Sequence, residues 1–158
     1  MSREHPKCTW LLLVAALASG QQAAIPPAER DLFVGHWKAN AGASHPKLSK
    51  KEGSYERTIT RDGDDLVFAS SGGASKATIR QFRIRCDGIF HPLPTGPVLA
   101  CRYVAPNRVE GETKDHPAGK LIFRAREVSA DGQRMSIFGY KDKNRTRLRS
   151  IEVLDRIK

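Results

Sequence analysis

Cysteine is scarce in this chain: three among 158 residues, too few for a disulfide scaffold. Aromatic residues are scarce as well, at 7%, and they are not interleaved with the basic clusters, so the stacking platforms that hold single-stranded nucleic acid are missing. Nucleic acid is therefore not an expected partner. The 13 glycines follow no triplet period, which excludes a collagen-like chain, and 39% hydrophobic residues is too many for a disordered one. No apolar run approaches the ~20 residues that span a bilayer.

Signatures of catalysis are absent too. There is no Gly-x-Ser-x-Gly elbow, no His-Glu-x-x-His, no phosphate-cradling Gly-x-x-x-x-Gly-Lys, no Cys-x-x-Cys and no dinucleotide fingerprint. Ser44-His45-Pro46-Lys47 matches Ser-x-x-Lys in form. That chemistry needs both residues on one helical turn, and Pro46 inside the loop-like stretch 43–49 stands against a helix. Asp62, Asp64 and Asp65 surround Gly63 and read as a solvated turn. His36, His45, His91 and His116 are scattered, the last three each before a proline, which places those three in loops. No catalytic residue, metal site or cofactor is assigned.

What is present begins at the N-terminus. Arg3 and Lys7 precede an apolar run from Trp10 to Ala18 that gives way to Ser19-Gly20-Gln21-Gln22. This pattern reads as a signal peptide over residues 1–20, cut after Ala18 or Gly20, which would make the protein secreted or periplasmic. The alternative is an uncleaved N-terminal anchor. Cleavage would remove Arg3, Lys7 and Glu4, leaving 25 basic and 16 acidic residues and a net charge of +9. It would also remove Cys8. Cys86 and Cys101 then form an even pair, a candidate disulfide in an oxidising compartment, the alternative being two separate buried thiols.

After a flexible segment at 21–32, residues 33–158 read as a single all-β domain. Apolar and polar residues alternate over 33–39, 54–61, 65–70, 77–86, 89–93, 98–104, 108–113, 120–128, 134–140 and 146–156. Asp62-Gly63, Asp87-Gly88, Pro106-Asn107 and Asp131-Gly132 join neighbours as hairpins. Consecutive hairpins make an antiparallel meander of about eight to ten strands that closes into a small barrel, with a β-sandwich as the alternative. Alternation puts Phe82, Ile84 and Cys86 on one face, with Leu99, Cys101 and Tyr103, Leu121, Phe123 and Ala125, and Met135, Ile137 and Gly139 grouped likewise. Phe82, Ile84, Tyr103, Phe123 and Ile137 are the candidate ligand-lining residues, and Arg124 and Arg126 fall on the opposite, outer face. One conflict arises: a strand at 89–93 lying between the cysteine-bearing strands would hold Cys86 and Cys101 too far apart to bond.

Phe33-Val34-Gly35-His36-Trp37-Lys38-Ala39-Asn40 resembles the Gly-x-Trp opening of lipocalin-like (calycin) barrels. It is closer still to the Gly-x-Trp-Lys-x-Asn opening of small secreted bacterial proteins. The likeness extends to Ser54-Tyr55-Glu56-Arg57-Thr58, Val128-Ser129-Ala130-Asp131-Gly132 and the closing Ile151-Glu152-Val153-Leu154-Asp155-Arg156. The resemblance implies a barrel whose tryptophan closes one end under a basic side chain of the last strand. Gly35 and Trp37 would then sit at the closed end, Trp37 meeting Arg149 or Arg156 in a cation–π contact.

The basic surplus bears on function. Lys47, Lys50 and Lys51 form one cluster, and Lys141, Lys143, Arg145 and Arg147 form a basic surface beside the last strand. Such charge suits anionic lipid or polysaccharide partners. The expected function is a non-enzymatic binding protein for an apolar or amphipathic small molecule. The alternatives are a small secreted hydrolase with a rim site of His91, His116 and carboxylates, and an envelope-interaction protein with no small ligand.

Overall fold

The computed structural model describes residues 31–46, 55–72, 80–115 and 118–158. The expected signal peptide, residues 21–30, Lys47, Lys50, Lys51 and His116 lie outside the described residues. Among the described residues ten strands follow one another with no helix between them: β1 (Gly35–Ala39), β2 (Glu56–Asp62), β3 (Asp65–Ser71), β4 (Arg80–Arg85), β5 (His91–Pro92), β6 (Val98–Ala105), β7 (Arg108–Lys114), β8 (Leu121–Val128), β9 (Arg134–Tyr140) and β10 (Leu148–Ile157). Tight turns need positive φ, and Gly63 (58°) and Gly132 (70°) supply it at two hairpins; Gly88 (84°) also has positive φ, but the hairpin expected at Asp87-Gly88 does not form, because β4 and β5 do not pair.

The strands form one antiparallel sheet in the order β4-β3-β2-β1-β10-β9-β8-β7-β6-β5. It is a meander in which the last strand returns beside the first, with Trp37 opposite Arg156 and Ala39 opposite Leu154. The ladder does not run round the full circumference, so the expected closed barrel is interrupted by a seam between β4 and β5. Across the foot of that seam lie one bridge between Asp87 and Arg102, a hydrogen bond from the Gly88 amide to the Cys101 carbonyl at 2.7 Å, and the Cys86–Cys101 disulfide. The strand expected at 89–93 is cut to His91 and Pro92, because the Asp87 carboxylate accepts from the Ile89 amide at 2.9 Å and bends the chain. A strand that short leaves the cysteine Cα atoms 4.3 Å apart, which resolves the conflict in favour of the bond.

Following the register round the sheet, the inner face carries Trp37, Ile59, Phe68, Ile84, Cys101, Tyr103, Val109, Val128, Met135 and Leu154. The largest of these are fully buried, each stabilising the fold by roughly 1.5–3 kcal/mol. One end of the sheet is plugged. Trp37 Nε1 donates to the Phe33 carbonyl at 2.9 Å, and the Arg156 guanidinium lies over the Trp37 ring at 4.2 Å. Arg156 also donates to the carbonyls of Leu32 (2.7 Å), Val34 (2.8 Å) and Gly132 (2.6 Å). A Cβ on Gly35, at φ +148°, would collide with that guanidinium, so glycine is required there. Arg149, the other candidate for this contact, sits in the bulge of β10 instead.

Asp31 and Leu32 correct the expected domain boundary. Asp31 is 6% exposed, forms a buried ion pair with Arg61 and accepts from the Tyr103 hydroxyl at 2.9 Å, so the folded domain includes both residues.

Candidate functional site

Above the plugged end the inner face turns cationic. On β8 it is Arg124 and Arg126 that point inward, opposite Gly111 and Val109 of β7 and Gly139 and Ile137 of β9. This inverts the expected assignment for that strand: Phe123, expected among the lining residues, lies on the outer face with Leu121 and Ala125. Phe123 is nevertheless 7% exposed, which is why hydrophobicity alone misplaced it. Phe82, Ile84, Tyr103 and Ile137 do share the inner face. Tyr103 is committed there to Asp31 and to Arg61, whose guanidinium donates to its hydroxyl at 2.8 Å, and burial together with Asp31 raises the phenol pKa.

Arg126 reaches across the interior. Its guanidinium lies 5.5 Å from the centroid of Phe68, which stacks in turn on Phe82 at 5.0 Å. The side chain is buried, its Nε has no hydrogen-bond partner, and burial, with Arg57 and Arg124 nearby, pushes its pKa down to about 9. Arg57 on β2 shares this face, donating to Ser70 Oγ at 3.1 Å and lying over the Tyr55 ring at 5.2 Å. Burial lowers it to about 10. Arg124 is exposed although it faces inward, so it stands where the interior opens to solvent; desolvation, Arg57 and Arg149 all lower its pKa. Arg149 is exposed beside it.

Among the described residues no carboxylate pairs with Arg57, Arg124 or Arg126. Glu152 is the acidic residue of the inner face, opposite Ile137, and burial raises its pKa. A layer of guanidinium groups without counter-ions is costly in a low-dielectric interior, and an anion entering it would satisfy both the charge and the free N–H donors. The apolar surface beside that layer comes from Phe82, Ile84, Leu93 and Leu99.

Much of the outer charge is paired. Arg83 meets Asp62 at 2.6 Å, Arg85 meets Asp65 at 2.8 Å, and Arg147 meets Asp142 at 3.7 Å. Arg145, expected on the basic surface, is largely buried against Glu110 at 3.2 Å, while Lys141 and Lys143 are exposed. His91 bonds Asp87 at 2.9 Å, and no group of three or more metal-ligating side chains gathers among the described residues. Ser44 donates to the Asn40 carbonyl at 2.8 Å and accepts from the Val153 amide at 3.0 Å, a structural role for the serine of the Ser-x-x-Lys match.

No family model matches the chain, and no curated protein matches it in sequence. Solved structures do share its fold. The fluorescent protein UnaG superposes with a TM-score of 0.57 at 17% identity, covering 79% of this chain and 97% of its own. The fatty acid binding protein of Schistosoma mansoni, solved with arachidonic acid, gives a TM-score of 0.57 at 14% identity over 82% of this chain and 98% of its own. The REP1-NXSQ fatty acid transporter gives 0.54 at 15% over 79% and 96%. The all-β meander is thus similar to that of fatty-acid-binding barrels.

Proposed function

We propose that this protein is a non-enzymatic binding protein for an amphipathic anion, held inside the sheet with its head on the inward guanidinium groups. The observation that carries this reading is the set Arg57, Arg124 and Arg126 on the inner face without a carboxylate partner among the described residues. Arg57 and Arg126 form the deep part of the head site, and Arg124 and Arg149 flank its entrance. The apolar body of the ligand lies against Phe82, Ile84 and Leu99. A long-chain carboxylate has this chemistry, in keeping with what two of the structural neighbours bind or carry by name.

The charged head is the discriminating feature. Titration with oleate and with oleyl alcohol, the same tail without the charge, is expected to show at least a tenfold preference for the acid, about 1.4 kcal/mol. Equal binding of both, or binding of neither, overturns the proposal. The basic sequence start and apolar run support a second element of the reading, export with removal of residues 1–20. The intact mass of protein purified from its host tests it, since a retained N-terminus would refute export by cleavage.

A further inference from the structure

A concavity lies on the outer face of the sheet, away from the inward arginines. It is a groove of about 660 Å³, within the roughly 300–1,000 Å³ range of small-molecule sites. Its floor is the outer surface of β6 and β7, where Arg102, Glu110 and Glu112 stand. Phe90, 45% exposed, forms one wall. The other wall is the loop between β9 and β10, which folds back over β8 to reach β7.

That loop is built, not slack. The Asp142 carboxylate accepts from the Thr146 amide and hydroxyl, both at 3.1 Å, and from the Arg147 amide at 2.8 Å. Arg145 takes a left-handed conformation, φ 57°, that directs its guanidinium onto Glu110 at 3.2 Å. Glu110 is further approached by Arg108 at 3.5 Å and Arg102 at 3.8 Å, so three cations share one carboxylate. The Lys143 carbonyl accepts from Arg145 at 3.2 Å, while the side chains of Lys143, Asn144 and Glu112 line the groove with no hydrogen bond or ion pair among the described residues.

We infer that this outer groove is a binding site for an acidic saccharide, its uronate held by Arg102 and Lys143 and a sugar ring lying on Phe90. The mixed lining points to that class. Cations alone would take any polyanion, but Glu110 and Glu112 repel a densely charged phosphate chain while offering acceptors for sugar hydroxyls. Asn144 adds a donor and an acceptor. A single aromatic wall suits the apolar face of a pyranose, and it is too small to hold a lipid tail.

The test is amide NMR on the purified protein with a galacturonate trisaccharide, its neutral galactose counterpart and inorganic phosphate. The acidic sugar is expected to shift the Gly88, Gly111 and Asn144 amides, at an affinity at least tenfold above the neutral sugar. Phe90→Ala and Lys143→Gln, both at exposed side chains, are expected to weaken it at least fivefold with an unchanged unfolding midpoint. Three results overturn the inference: no shifts, shifts elsewhere on the protein, or equal shifts by phosphate that survive Phe90→Ala. The interior site is read by oleate, so the two proposals fail separately.

Discussion

Replacing Arg126 by methionine should make the empty protein more stable while impairing its binding of an anion. Burial holds the Arg126 pKa down at about 9, well below the ordinary guanidinium value, which corresponds to roughly 5 kcal/mol of disfavoured charge at neutral pH. The cation–π contact with Phe68 is lost in the variant and offsets about 1–2 kcal/mol of that. Methionine keeps much of the aliphatic bulk, and substituting buried charge by a packed apolar side chain is often neutral or stabilising by ~1–4 kcal/mol. A net gain of about 3–4 kcal/mol is expected. In urea, with a slope near 1.5 kcal/mol per molar, the midpoint would rise by about 2–2.7 M. The pH dependence has a definite sign. Because the folded pKa lies below the unfolded one, the unfolded chain holds the extra proton from about pH 9 up to the ordinary guanidinium range. This group therefore makes stability rise with pH in that window, and the variant loses the rise. The same substitution should weaken oleate roughly 10–100-fold, the worth of a hydrogen bond to a charged group. A variant less stable than the parent, or one that binds oleate equally well, would refute the reasoning.

Three further outcomes are expected. Cys86→Ser with Cys101→Ser opens the foot of the β4–β5 seam and should cost about 3 kcal/mol, the entropy of a 15-residue loop, read as a lowered urea midpoint; an unchanged midpoint would mean that the seam is held by other contacts. Arg156→Lys cannot reproduce three carbonyl hydrogen bonds and a stacked plane over Trp37, so a loss of about 2–4 kcal/mol is expected, and Gly35→Ala should produce a comparable fall by displacing the same guanidinium. Burial raises the Glu152 pKa, so its ionised form destabilises the fold above the unfolded-state value. Glu152→Gln should accordingly stabilise the protein at pH 7 and make little difference at pH 4, and an identical effect at both pH values would contradict the assignment.

Strand order and turns were legible because they are local. Asp62-Gly63, Pro106-Asn107 and Asp131-Gly132 each join paired strands, whereas Asp87-Gly88, expected to make a hairpin, lies at the seam between β4 and β5, which do not pair; period-two alternation grouped the residues of β4, β6, β8 and β9 but left the inner face of β10 unassigned. Choosing which parity faces inward is a different matter, since that choice assumes the apolar face is the buried one. On β8 both faces are covered: the β9–β10 loop folds over the outer one, and Arg124 and Arg126 stand on the inner one. One signal in the sequence could have exposed this. Gly111 and Gly139, mid-strand glycines, stand beside Arg124 on both neighbouring strands and leave it room, but their register appears only once the strands pair. The disulfide was legible from the even cysteine count after residues 1–20, and geometry decided it only because β5 is two residues long.

The most direct test of the central claim is to follow the carboxyl carbon of bound [1-13C]oleate by NMR as the pH falls from 7. A carboxylate resting on Arg57 and Arg126 is expected to stay ionised well below the ordinary range near 4–5, with no change in chemical shift down to about pH 4. A bound carboxyl that titrates at or above that range would place the head away from the guanidinium groups and contradict the account.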